Sequence, residues 1–181
     1  LSNTPFREYK HFAHQGGIQT PLIVHWPKGI PSGNTNRILS QFGYLPDLVE
    51  TCLEVARAKR PQKKNGKTVP VGDGISFVKA LQGSKAPLHT KPIFIEHEGN
   101  RIAREGKWKL VSYANKPWEL FDMEADRSEI NDLAAQRTSI VKHLNNAYAK
   151  WAKRVGVADW TVARNYSVYR AKKKKTPPKQ K

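Results

Sequence analysis

Between Pro92 and Met123 the sequence takes on a two-residue period, and that change restricts the possible folds more than any other feature of the chain. Pro92-Ile93-Phe94-Ile95 is a short apolar run, Lys107 to Tyr113 sets Trp108 and Leu110 against Lys109 and Val111, and Trp118 to Met123 is a third run rich in aromatic residues. Successive side chains of a strand point to opposite faces, so each run reads as a strand. Ala114-Asn115-Lys116-Pro117 has turn chemistry, which makes the second and third a hairpin, with Arg101 to Arg104 leading in. A small antiparallel sheet needs a cover on one face. A helix expected from about Thr138 supplies it, with Ile140, Leu144, Ala147, Tyr148, Trp151 and Val155 on one stripe. Asp126 and Glu129 have the spacing of a capping box and read as structural residues opening a helical turn.

Upstream the signals are mixed. Leu22-Ile23-Val24, closed by His25-Trp26-Pro27, reads as a buried strand with His25 inside it, and the residues just before it sit at a strand edge, where loops carry chemistry. Residues 27 to 43 are loop-like. Tyr44, Leu45, Leu48, Val49, Cys52, Leu53 and Ala56 recur at helical spacing, with Pro46 in the first turn, and place Cys52 in the core. Residues 57 to 74 lose all periodicity and read as an exposed linker. Ile75 to Leu81 reads as a short helix ended by Gly83.

Composition bounds the function. A chain of 181 residues with 38% hydrophobic content and five tryptophans can build a core. Its one cysteine excludes an internal disulfide. No apolar run approaches the roughly 18 residues of a membrane helix. The net charge of +17 raises a polyanion as partner, but six of the positive charges fall in the last ten residues, so residues 164–181 read as a solvated basic tail. No aromatic residue interleaves the lysines of 57 to 74 to stack bases, which argues against a specific nucleic-acid site. Of the six histidines, His11 and His14 are three apart, with no second pair at ligand spacing, so no metal site is expected.

The segment from Lys10 to Pro27, KHFAHQGGIQTPLIVHWP, resembles a motif of the sulfatase family, arylsulfatases in particular, through Lys10, Gly16, Gly17, Ile18, Thr20 and Pro21. Gln15 stands where that pattern has glutamate. WELFDMEADRSEINDLA, from Trp118 to Ala134, is similar to the family's late acidic signature, and GISFVKALQGS and EHEGNRIAREGKWKLV fit between them. The family's Cys- or Ser-x-Pro-x-Arg motif, which yields the formylglycine nucleophile, is absent, since Cys52 is followed by Leu53 and Glu54.

The resemblance implies an α/β fold: the last strand and helix of a large alkaline-phosphatase-like α/β sulfatase domain (1–74), then a small C-terminal antiparallel sheet packed by a long helix (75–163). It implies hydrolysis of sulfate esters by the parent protein, with Lys10 on the sulfate oxygens. His14, just before the glycine pair, and His97, in the polar stretch Glu96-His97-Glu98, become candidate substrate-binding residues. Calcium and formylglycine would be supplied by a missing N-terminal part, leaving the piece inert alone and without a cofactor of its own. A periplasmic or secreted location is suggested. The rival readings are a basic polyanion-binding module and a catalytically inactive scaffold.

Overall fold

The computed structural model describes residues 3–165; the lysine-rich stretch from residue 166 on, expected as a basic tail, lies outside the described residues. In chain order the elements are α1 (Gln15–Ile18), a 3-10 turn (Ser32–Asn34), α2 (Leu45–Val55), β1 (Lys63–Lys64), β2 (Lys67–Thr68), α3 (Val78–Leu81), β3 (Ile93–His97), β4 (Asn100–Glu105), β5 (Trp108–Ser112), β6 (Glu119–Asp122) and α4 (Thr138–Val155). They fall into two units, one of residues 1–20 with 92–181 and one of 21–91. The first twenty residues therefore belong with the C-terminal sheet, a division different from the expected boundaries at 74 and 163.

The first unit is built on an antiparallel meander in the order β3-β4-β5-β6. Ile102 pairs with Val111, and Ala103 with Leu110, which in turn pairs with Leu120. The two-residue period then sorts the side chains. Ala103, Leu110 and Leu120 lie on one face and pack with Leu144 and Tyr148 of α4, while Ile102, Val111 and Phe121 lie on the other with Ala13 and Met123. Both faces of the sheet are covered, which is why its central residues are fully buried. The α4 face follows the expected stripe. Trp118 donates its Nε1–H to Asn145 Oδ1 at 2.8 Å, and Phe94 stacks on Trp151 with ring centroids 5.4 Å apart. Gly156, at φ +74°, ends the helix in the left-handed conformation that glycine adopts without steric cost.

No helix opens at Asp126, contrary to the capping-box reading. Its carboxylate instead accepts the N–H groups of Ile130 and Asn131, both at 2.8 Å, closing a turn, and Glu129 takes φ +59° with its side chain 1% exposed. The acidic spacing serves a buried contact described below.

In the second unit, α2 begins where the sequence places it. Asp47, fully buried, accepts the N–H of Tyr44 at 3.0 Å and that of Ile75 at 2.8 Å, and bonds His89 Nε2 at 2.8 Å. One carboxylate thus ties the helix start to the chain leading into α3. The apolar stripe of α2 is not interior, however. Leu45 is 77% exposed and Cys52, expected in the core, is exposed. Leu22-Ile23-Val24 forms no strand among the described residues, Ile23 is 91% exposed, and His25 is exposed as well. A strand exists through its neighbour's hydrogen bonds, and without one the apolar run has only its propensity. Within 57 to 74, Asn65-Gly66 turns the short hairpin β1–β2 with both residues at positive φ, as its type I′ geometry requires.

Candidate functional site

Lys10 sits in a loop whose shape is dictated by the glycine pair that follows it. A Cβ on Gly16 would stand 2.1 Å from the Glu8 carbonyl oxygen, and one on Gly17 would stand 2.1 Å from that of Phe12. No side chain fits either place. The loop from Arg7 to Phe12 folds directly onto α1, with Gly16 N–H donating to the Arg7 carbonyl at 2.8 Å. Gly-Gly is therefore a packing requirement of the segment that carries the lysine.

The same loop is fastened to the sheet on both sides of Lys10. Before it, Arg7 donates to Glu119 at 3.1 Å and to the Tyr113 hydroxyl at 3.3 Å, and that hydroxyl donates to Glu8 at 2.6 Å. Burial and the bond to Glu8 push the Tyr113 hydroxyl up to about 12, so it remains a donor. After it, Phe12 meets the Tyr113 ring edge-on at 5.6 Å. Lys10 itself is exposed, and among the described residues it has no hydrogen-bond or ion-pair partner. A loop tied to the sheet on both sides thus presents an ammonium at the surface.

His14 does not join it at the surface. It is fully buried, with Nε2 2.8 Å from Glu119 and its ring 4.5 Å from that of Tyr113. Burial pulls its pKa down despite the carboxylate. The expected substrate contact is replaced by a packing role, because the residue preceding α1 points into the sheet. His97 is exposed at the β3–β4 hairpin, and its ring lies 6.2 Å from that of His11. The fold therefore brings His97 beside the residue next to Lys10.

Beneath the loop lies a group that sequence patterns did not single out as a unit. Lys109 Nζ, fully buried, pairs with Glu129 Oε1 at 2.6 Å and donates to Gln15 Oε1 at 3.0 Å, while Gln15 N–H donates to Glu129 Oε2 at 2.6 Å. Desolvation, opposed by the carboxylate, lowers the Lys109 pKa to about 8. Gln15 supplies a neutral acceptor to an ammonium that already has its counter-charge. Within the period-two strand β5, Lys109 is the one charged residue at an inward position, and that was the available signal.

A concavity of about 450 Å³ beside Arg7 is lined by Glu119, Glu129 and Asp132. Carboxylates make it a poor receptor for an anionic sulfo group. Among the described residues, one group could hold a metal ion: His11, His97 and Glu98. No spacing rule points to it, since His11 and Glu98 are 87 positions apart and only the fold joins them.

A family model described as "N-sulphoglucosamine sulphohydrolase, C-terminal" matches residues 8–154. An uncharacterized sulfatase of Schizosaccharomyces pombe is 28% identical over 183 residues, covering 95% of this chain and 32% of the relative. An N-acetylgalactosamine-6-sulfatase of Canis lupus familiaris is 34% identical over 127 residues, covering 69% of this chain and 22% of its own length. The crystal structure of Ps i-CgsB matches with a TM-score of 0.68 at 26% identity, over 83% of this chain and 32% of that one. The chain spans about a third or less of the length of these relatives.

Proposed function

The chain belongs to the sulfatase family, as a C-terminal portion, and from that premise we propose that its parent protein hydrolyses sulfate esters with Lys10 binding the sulfo group. A sulfate ester presents negative oxygens on sulfur, and charge grows on the bridging oxygen as the bond to sulfur breaks. A cation fixed in advance at those oxygens favours that transition state over the ground state. The observation that carries the reading is the exposed ammonium of Lys10 on a loop that Gly16, Gly17, Arg7 and Tyr113 hold in place. An ammonium is a compact point charge on a long stem with three rotatable donors, which suits it to the oxygens of a sulfo group. His97, exposed beside His11, is placed to meet the rest of the substrate.

Calcium and formylglycine, implied by the resemblance, do not fit the residues present. The candidate ligand group is two imidazoles and one carboxylate, whereas calcium takes six to eight oxygens, and Cys52 lacks the motif for conversion. Both would come from the remainder of the parent, so the 181-residue piece alone should release no sulfate.

The test is Lys10→Ala in the full-length parent, assayed for sulfate release. A fall in kcat of about 100-fold or more is expected from the loss of a preorganised transition-state contact. Unchanged turnover sinks the proposal. The printed names of the relatives support sulfate esters as a class.

A further inference from the structure

We propose that His11, His97 and Glu98 form a binding site for a zinc-like divalent transition metal, beside the Lys10 loop. Their ligand atoms all lie within 4.8 Å of one another. His11 Nδ1 is 2.9 Å from Glu98 Oε2, and His97 Nε2 is 4.0 Å from the same oxygen. Donors about 2.0–2.2 Å from a tetrahedral metal stand about 3.3–3.6 Å apart, so small side-chain rotations bring all three to bonding distance. A hydrogen bond accounts for His11 with Glu98 but not for His97, whose nitrogen is too far from that oxygen to share it. Two imidazoles with one carboxylate select zinc, nickel or copper over calcium and magnesium.

The backbone around the three is fixed more firmly than solvent-exposed ligands require. Asn100, 6% exposed, donates from Nδ2 to the His11 carbonyl at 2.8 Å and to the His97 carbonyl at 3.1 Å. One buried amide thereby clamps both histidine-bearing segments. The hairpin loop is only Glu98-Gly99, flanked by the His97–Asn100 pair, and Glu98 holds φ +52° at a position where Asn, Asp or Gly is the usual occupant. His11 is at φ +79°. Two ligands thus stand on backbone that their residue types disfavour, while their side chains remain accessible to a metal from solution, 53% exposed for His11, 58% for His97 and 42% for Glu98. Water would complete the coordination. A bound ion would tie the Lys10 loop to the β3–β4 hairpin and stabilise the folded chain, since the unfolded chain has no preformed site.

Calorimetric titration of the full chain with zinc chloride tests this, beside His11→Ala, His97→Ala and, as a control, His143→Ala, an exposed histidine paired with Glu105. One zinc per chain is expected, weakened at least about tenfold by either ligand substitution and unaffected by the control. Glu98→Gln provides a third arm in which neither histidine is touched, and it should weaken binding as well. All these positions are exposed, and circular dichroism confirms that each variant keeps the sheet. Zinc affinity that survives either histidine substitution, absence of binding up to millimolar zinc, or equal competition by calcium overturns the assignment.

Discussion

The residue that best explains the glycine loop is Lys109, which never reaches the surface. A charge removed from water is tolerable only when paired and hydrogen-bonded, and Lys109 has both through Glu129 and Gln15. Its partner also receives the backbone N–H that opens α1, so the ion pair sits directly under the segment carrying Lys10. Removing either charge strands the other. Lys109→Met and Glu129→Gln, each alone, should cost about 3–5 kcal/mol in denaturant unfolding. The double variant Lys109→Met with Glu129→Gln should lose less than the two single losses together. A loss in the double variant equal to the sum of the two single losses would show that the pair is not coupled.

At the scale of elements, two helices of similar amphipathic pattern meet different fates. Leu144 of α4 is fully buried against the sheet, whereas Leu45 of α2 is 77% exposed. Leu144→Ala should therefore cost about 2–5 kcal/mol by leaving a cavity, while Leu45→Ala should change stability by no more than about 0.5 kcal/mol, both read by chemical denaturation of the chain. A large loss from Leu45→Ala would mean that the α2 stripe is covered after all. The contrast also shows what was legible in the sequence. The strands of the meander and the α4 stripe could be read because hydrophobic period reports the face an element will bury, and here this chain supplies the opposing surface. For α2 and Leu22-Ile23-Val24 the period is equally clear, but it says nothing about what covers that face, so Cys52 and Ile23 were misplaced. Asp126 and Glu129 hold structure by closing a turn and pairing with Lys109, not by capping a helix. The meeting of His11 with His97 and Glu98 was invisible, because no spacing rule spans 87 positions.

For the molecule as a whole, the two units differ in how much regular structure supports them. Residues 92–155 hold a four-stranded sheet covered by an 18-residue helix, while residues 21–91 hold one 11-residue helix, two very short ones and a two-residue hairpin among long irregular stretches rich in Lys and Arg. Trypsin under native conditions should cut first between 57 and 67, and mass spectrometry should recover the sheet with α4 as the persistent product. Early loss of residues 92–155 would contradict that order. The formal charge of +17 does not by itself specify a partner, because a net charge alone draws polyanions without selecting among them.

The first unit is discontinuous: the loop bearing Lys10 is among the first residues of this sequence, yet Tyr113, Glu119 and Glu129, which fasten it, come about a hundred residues later. On the ribosome those early residues must wait, unanchored, until the strands have emerged from the exit tunnel, several seconds at ordinary rates of synthesis. A premature stop anywhere before Tyr113 would leave the lysine loop without any of these three fastenings, however completely the preceding residues were made.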